Sequence, residues 1–488
     1  MLETGRSCWR IERAGRASLI VDAADYFRLV RQAMVAAREQ ILLIGWDFDT
    51  RIALLPKAAD EGPTELGAFL SWLPRQRPGL QVYILKWDLG AVKLLGRGTT
   101  ALRLAWWAAR NDIHFKLDGA HAAGASHHQK IVVIDDAVAF CGGIDMTADR
   151  WDTRGHRDDD PRRRRPTTRR RYGPWHDATM AVDGAAAKAL GELARERWQA
   201  AGGEPIAPPA GAGERWPEAL PPMFEEVDVA IARTRGAYDG NPAIREIEAL
   251  FVEHIRTAER YIYAENQYFA SRRIAQAILE RVQAPGCPEI VIVNPRTGAG
   301  WLEEEAMSPA RARLLQAIRR ADKAGRFQMY YPVTAEGADI YVHAKVFIAD
   351  GRVLRVGSAN MNNRSMGLDS ECDLAIDAAL PANAAAEPAI AGLVHDLLAE
   401  HLGSDPAVVA AQIARTGSLI AAITALAHNP RRLVTMPPSA PNAAEAALAE
   451  NELLDPEGSS EDFERIARPG LLRGLRRRVP FGRGRRAP

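Results

Sequence analysis

The chain has 488 residues, 47% of them hydrophobic and 26% charged, with a formal net charge of +1. These values exclude a wholly disordered chain, a collagen-like chain and a small disulfide scaffold, and at ~150 residues per domain they suit about three domains. The near-zero charge argues against a general nucleic-acid binder or an acidic buffer protein, so any polyanion site must be local. Four cysteines, Cys8, Cys141, Cys287 and Cys372, stand far apart without a C-x-x-C pair. That disfavours a zinc ribbon or thioredoxin-type motif and fits free thiols in a reducing compartment. Met1 to Arg16 has no apolar h-region, so no secretory signal is expected. No apolar run approaches ~18 residues, so no transmembrane helix is expected. The expected location is the cytoplasm, with at most peripheral contact to a membrane.

In chain order, Tyr26, Phe27, Val30, Ala33, Met34 and Ala37 fall at helical spacing. Ile41 to Ile44 then reads as a buried strand, and so do Val82 to Leu85 and Ile131 to Ile134. Ala101 to Ala109 reads as a helix between the last two. Such alternation indicates an α/β domain. The pattern repeats with a helix over 246–258 and strands at Tyr261 to Ala264, Ile290 to Val293 and Val346 to Ile348. Gly202 to Pro222, rich in Gly, Pro and Ala, separates the halves as a linker or crossing segment. Beyond about residue 380 the composition turns Ala-rich, with helices expected over 384–402 and 406–427. From Pro437 the chain is polar, and it ends in an Arg-rich tail, Arg473 to Arg486, of a kind usually disordered. The expected division is a first lobe over 1–215, a second over 216–380 and a helical extension with a disordered basic tail over 381–488.

Two short motifs carry the chemistry. His128, Lys130 and Asp135 form H-x-K-x4-D, and His343, Lys345 and Asp350 repeat it 215 residues later. Gly142-Gly143 matches Gly357-Ser358 at the same offset. One such motif should occur by chance about 0.01 times in a chain of this composition, so two in register mark a shared functional origin. A neutral imidazole can act as a nucleophile and split one difficult displacement into two. A second imidazole can protonate the leaving alcohol and then deprotonate the incoming one. Lysines can offset the charge that builds on the transition state.

The sequence resembles the phospholipase D superfamily, defined by paired H-x-K-x4-D motifs followed by G-[GS]. Ser126 to Asp145, Arg150-Trp151-Asp152, Pro174-Trp175-His176-Asp177, Glu265-Asn266-Gln267-Tyr268-Phe269 and Gly357-Ser358-Ala359-Asn360 carry the likeness over roughly residues 18–380. Among its branches the chain resembles the phospholipase D and cardiolipin synthase-like ones. The resemblance implies an α/β fold of two tandem lobes, each a mostly parallel or mixed sheet flanked by helices. Pseudo-two-fold symmetry would bring both motifs to one site. It implies a catalytic set of His128, Lys130, Asp135, His343, Lys345 and Asp350, with His128 as nucleophile and His343 as general acid and base, although sequence symmetry alone leaves those two roles exchangeable. Within that set Asp135 and Asp350 take a hydrogen-bonding, architectural part. Asn360 and Ser358 are expected to bind substrate phosphate. A carboxylate before a later strand should fix each imidazole tautomer, which points to Glu371 and, at an offset of 194, Asp177.

The first half therefore holds 21 extra residues, placed in Arg154 to Pro174. This Arg-rich stretch is expected to be a surface loop: a solvated excursion, a rim for anionic lipid head groups, or a nucleic-acid contact. His127, His176, Trp46, Asp47, Asn266 and Gln267 are weaker candidates for the pocket wall. His114 and His121 have no partners at ligand spacing, and no residue cluster suggests a metal or cofactor. The implied reaction is hydrolysis or transfer at the head-group phosphodiester of glycerophospholipids through a phospho-histidine, by a monomer. The Arg-rich loop and tail are candidates for contact with an anionic membrane surface. The alternatives are cardiolipin synthase-like transfer to a lipid alcohol, a nuclease of the same superfamily, and a non-catalytic lipid-binding scaffold; nucleic acid is the less favoured partner.

Overall fold

The computed structural model describes residues 2–56, 62–88, 100–108, 110–211, 213–298, 301–438 and 455. The basic tail from Arg473 to Arg486 lies outside the described residues. Short β-branched runs form the strands, as their composition favours. In the first half these are β1 (Arg10–Val21), β2 (Gln40–Gly45), β3 (Gln81–Trp87), β4 (Ile113–Asp118), β5 (Ile131–Ile134), β6 (Val138–Gly142), β7 (Trp175–His176) and β8 (Ala178–Asp183). The second half supplies β9 (Phe224–Arg235), β10 (Ile244–Arg245), β11 (Tyr261–Asn266), β12 (Glu289–Val293), β13 (Phe327–Val333), β14 (Tyr341–Val342), β15 (Lys345–Ala349), β16 (Val353–Gly357), β17 (Glu371–Asp377) and β18 (Arg432–Thr435).

One mixed sheet runs through both halves in the order β18-β13-β12-β11-β15-β16-β17-β9-β1-β8-β6-β5-β2-β3-β4. Apart from the edge strand β18, the two halves repeat the same arrangement when read inward from either side. Three outer strands, β2-β3-β4 or β11-β12-β13, are parallel. The inner pairings are antiparallel, including the long β1–β9 pair that joins the halves. The two lobes thus share a continuous sheet, in which only the outer strands of each half run parallel.

Alternate strand residues face opposite sides, so each strand feeds two cores. Leu42 and Ile44 join one apolar cluster, which also takes Leu190 and Leu193 of the helix Gly184–Ala200 and Leu393 and Leu397 of the helix Glu387–His401. Ile41 and Leu43 join another, packed on the helix Ala23–Ala36. The corresponding core of the second half lies against the helices Glu246–Thr257 and Arg272–Gln283.

Two segments depart from the sequence reading, and a third takes one of its two readings. The helix expected over 406–427 breaks in two: Gly417, at φ 66°, caps Pro406–Thr416 in the left-handed conformation, and the Ser418 hydroxyl caps Leu419–Ala425. Such a conformation suits glycine and ends a helix. The region after 380 is not helical throughout, because β18 adds an antiparallel edge strand to β13. Gly202 to Pro222 is a crossing segment, anchored by the buried side chains of Arg215, Trp216 and Leu220.

Candidate active site

Backbone pairing between the halves builds the site. β7 and β14 run parallel, pairing Trp175 with Tyr341 and His176 with Val342, and the next amide, His343 N, donates to His176 O at 2.7 Å. The other half does the same: His127 bridges Ser370 in parallel, and His128 N donates to Ser370 O at 2.9 Å. Each motif histidine therefore emerges beside a residue that immediately precedes a carboxylate of the opposite half. Glu371, which opens β17, meets His128, its Oε2 and Oε1 lying 2.9 and 3.0 Å from Nδ1. Asp177, just ahead of β8, meets His343, with Oδ2 2.7 Å from Nδ1. The sequence pointed to both carboxylates, but not to their crossed pairing. A carboxylate on Nδ1 fixes the neutral tautomer with its lone pair on Nε2.

The lysines enter two residues after each histidine. Lys130 Nζ donates to His128 O at 3.0 Å and lies 3.3 Å from Asp145 Oδ2. Lys345 Nζ bonds His343 O, stands 3.2 Å from His343 Nδ1 and donates to Gln267 Oε1 at 3.3 Å. Both lysines are buried. Asn360 is buried too, and its Oδ1 accepts no hydrogen bond. Asp145 occupies the matching position of the first half, 215 residues earlier.

The hydroxyl of Ser358, which the sequence reading assigned to the phosphate, donates to Glu371 Oε2 at 2.5 Å. Ser365, which the sequence reading missed, donates to Glu371 Oε1 at 2.6 Å. It sits in the short helix Asn363–Gly367, and the Asn362 cap just after the second motif is the signal that marks its start. Asp135 and Asp350 lie away from the histidines. Asp135 accepts from the backbone of Arg38, Glu39 and Gln40, and from Arg215 Nε at 2.7 Å. Asp350 accepts from the backbone of Glu259, Arg260 and Tyr261. Each thus fastens the start of the neighbouring strand to the turn after the motif.

Electrostatics favour uncharged imidazoles in the free site. Burial first, then the charges of Lys130 and Lys345, hold His128 well below the ordinary histidine value. Burial, Lys345, Arg150, Lys130 and His128 do the same to His343. Each imidazole therefore senses the lysine of the other motif, so the motifs share one pocket. Burial also pushes Glu371 and Asp177 up to about 7, against the pull of Lys130 and Lys345 respectively, and brings Lys345 down to about 7.

Aromatic walls flank the pair. The rings of Trp46 and His128 meet edge-on at 6.3 Å. Trp175 stacks on Tyr341 at 4.5 Å and lies 5.2 Å from His343, and the Arg150 guanidinium lies over the Trp175 ring, 4.3 Å from its centre. Trp175 and Arg150 were legible only as part of the family likeness. Gln267 joins the wall through Lys345, whereas Asp47 pairs with buried Lys86 at 2.6 Å and Asn266 Oδ1 accepts from Met361 N. His127 is fully buried on Ser370, and His114 and His121 bond Gln81 and Asp88. The segment 154–174 is no simple surface excursion: His156, Asp160 and Arg163 are buried, while Arg169, Arg170 and Arg171 are exposed. His176 is fully buried and bonds Glu400 and Glu265.

A half-buried imidazole, His128, and a buried one, His343, thus sit on crossed carboxylates in a pocket that two buried lysines share. A family model described as phospholipase D matches residues 33–207, and one described as cardiolipin synthase, PLD-like domain, matches residues 251–389. The chain belongs to the phospholipase D superfamily. It is 24% identical to phospholipase D A of Dictyostelium discoideum over 73% of this chain and 32% of that protein. It is 24% identical to phospholipase D alpha 1 of Carica papaya over 77% of this chain and 63% of that one. The chain thus spans less than two thirds of these relatives. A phosphatidylserine synthase structure from Haemophilus influenzae Rd KW20 superposes with a TM-score of 0.48 at 12% identity, covering 84% of this chain and 95% of that one.

Proposed function

We propose that the protein is a phospholipase D-type phosphodiesterase and phosphatidyltransferase acting on the head-group phosphodiester of glycerophospholipids. The observation that carries this reading is the crossed pairing of His128 with Glu371 and His343 with Asp177 over one lysine-lined pocket. In this reading His128 Nε2 attacks phosphorus and the bond from phosphorus to the head-group oxygen breaks. His343, as imidazolium, gives its Nε2 proton to that oxygen. Neutral His343 then takes a proton from water or an alcohol, which attacks phosphorus, breaks the P–N bond and releases His128. The anionic diester between Lys130 and Lys345 offsets the charge that keeps His343 neutral in the free site, so substrate binding itself favours the protonated acid.

Phospholipid is the expected substrate because the relatives are phospholipases D. Among the described residues no helix is long and apolar enough to cross a membrane. The loop arginines Arg154, Arg162, Arg163, Arg165 and Arg171 are paired with acidic residues. A membrane-facing rim would therefore rest chiefly on the other arginines of the segment, Arg157, Arg164, Arg169 and Arg170. The match of the second half to a cardiolipin synthase model favours a second reading, in which the acceptor is the alcohol of another lipid.

Product analysis on mixed phospholipid vesicles with a short-chain alcohol tests both. Wild type is expected to give phosphatidic acid and a phosphatidyl-alcohol, with both falling at least about 10³-fold in His128→Ala and in His343→Ala. A dominant lipid–lipid transfer product would select the second reading. Folded wild type that leaves every lipid intact but cuts DNA would replace both with a nuclease.

A further inference from the structure

Behind Asp177 lies a second cluster that the proposed reaction does not use. Asp22, between β1 and the helix Ala23–Ala36, His156 in the inserted segment, His176 of β7 and Glu400 of the helix Glu387–His401 converge, and all four are buried. Glu400 Oε1 is 3.0 Å from His156 Nε2 and 2.9 Å from His176 Nδ1. Asp22 Oδ1 is 3.3 Å from His176 Nδ1, and Asp22 Oδ2 is 3.6 Å from His156 Nε2. A tetrahedral ion with ligands at about 2.0–2.1 Å separates them by about 3.3 Å, in the middle of this range.

The remaining nitrogens look outward to carboxylates. His156 Nδ1 is 3.1 Å from Asp152 Oδ2, and His176 Nε2 is 2.8 Å from Glu265 Oε2. A metal-bound histidine usually has this kind of partner, which fixes the tautomer and aims the other nitrogen at the centre. Those carboxylates are held in turn: Arg163 binds Asp152, and Tyr263 and His401 bind Glu265. Arg154 binds Glu400 through its other oxygen, leaving Oε1 for the centre. Asp22 Oδ2 is the independent pointer. It belongs to a residue 1% exposed, faces the centre and accepts no hydrogen bond. Around the centre, the carboxylates of Asp22, Asp152, Glu265 and Glu400 exceed the guanidinium groups of Arg154 and Arg163 by two charges, which one divalent ion matches.

We infer that Asp22, His156, His176 and Glu400 bind a divalent transition-metal ion of the zinc class. Two imidazoles and four donors suit such an ion better than calcium or magnesium, which take more ligands and oxygen alone. The protein fills all four positions, so the site is structural rather than catalytic. Its place gives it a consequence: Asp22 Oδ1 accepts from Asp177 N at 3.1 Å, and His343 N donates to His176 O. The ion would stiffen the backbone that presents Asp177 to His343, and would tie the inserted segment and the helix after residue 380 to the catalytic halves.

The test is the metal content of the full chain, expressed with added zinc and measured after gel filtration. About one zinc per chain is expected. Chelation should lower Tm by at least about 5 °C, and zinc should restore it. Cobalt in its place should give the visible d–d absorption of a tetrahedral site. His156→Gln and Asp22→Asn should lose the metal, whereas His114→Gln and Cys287→Ser should keep it. A folded wild type without metal, whose Tm does not respond to zinc, cobalt or manganese, overturns the proposal. Stabilisation by calcium alone, or metal retained in both cluster variants, overturns it equally. Should those variants fail to fold, the wild-type metal content and cobalt spectrum decide.

Discussion

In the first half, the His128 side chain is 15% exposed and its partner Glu371 is held on both oxygens by the hydroxyls of Ser358 and Ser365. In the second half, the His343 side chain is 6% exposed, packed near Trp175, and its partner Asp177 takes its other hydrogen bond from the backbone of Ala178. The motifs are identical where chemistry is shared and differ where each imidazole is positioned. The more open ring, on the more firmly held carboxylate, suits attack on a lipid phosphate arriving from outside. The more enclosed ring, near Arg150 and Lys345, suits a proton carrier whose charge state changes when the anionic substrate arrives. The difference thus supports the direction that sequence symmetry left exchangeable.

The largest effect comes from a substrate that needs no proton on its leaving group. With a p-nitrophenyl phosphodiester, His343→Ala is expected to retain a phenolate burst at least about 10²-fold faster than His128→Ala. Rapid-quench measurement reads this directly. A burst in His128→Ala, with none in His343→Ala, would exchange the two roles.

A smaller effect separates the glycine of one motif from the serine of the other. A Cβ at Gly143 would collide with Asp177 Oδ1 and stand 3.2 Å from His343 O. The first half therefore requires glycine where the second carries Ser358. Gly143→Ala is expected to lower kcat by about 10–100-fold by displacing Asp177, with KM changed far less. Wild-type kcat in that variant would show that Asp177 does not position His343.

The fold was largely legible because its strands are short apolar runs bounded by polar turns, and because the duplication repeats them. The motif residues were legible because His and Lys must recur at one spacing. What escaped depends on pairing across the long interval between the halves. Nothing local to Glu371 says that it meets His128, since the contact is made by Ser370 pairing with His127. Ser358 reads as a phosphate ligand until β17 brings Glu371 against it. The inserted segment reads as solvated because its sequence is charged, yet Arg163 and His156 are buried against Asp152 and against Glu400, which comes from the distant helix after residue 380.

Glu371 gives the comparison a pH axis. Its folded value is raised from 4.5 to about 7 by burial. The contribution to stability is therefore complete below about pH 4.5 and is lost as pH rises through about 7. Glu371→Gln stays neutral throughout, so it should flatten this decline. Between about pH 5 and about pH 8 the variant should gain on wild type by roughly 1–3 kcal/mol, measured by urea unfolding at each pH. Parallel curves would mean that Glu371 is ionised across the whole range.

The smallest effect belongs to Ser358, and it separates two uses of one hydroxyl. Removing it takes one hydrogen bond from Glu371 and leaves the other from Ser365 in place. A single hydrogen bond to a charged group is worth about 1.5–3 kcal/mol, and the remaining one should recover part of that, leaving a loss of about 3–10-fold. If the hydroxyl serves Glu371, Ser358→Ala should lose this in kcat, because the orientation of His128 matters at the transition state. If it binds the substrate phosphate directly, the loss should fall mainly on KM, because ground-state binding is weakened. The Cys372 amide, which donates to Ser358 Oγ at 3.0 Å, occupies one acceptor position of the oxygen while its proton is directed to Glu371. The geometry therefore favours the kcat outcome. A change confined to KM would return Ser358 to the phosphate and leave Ser365 as the sole hydroxyl on Glu371.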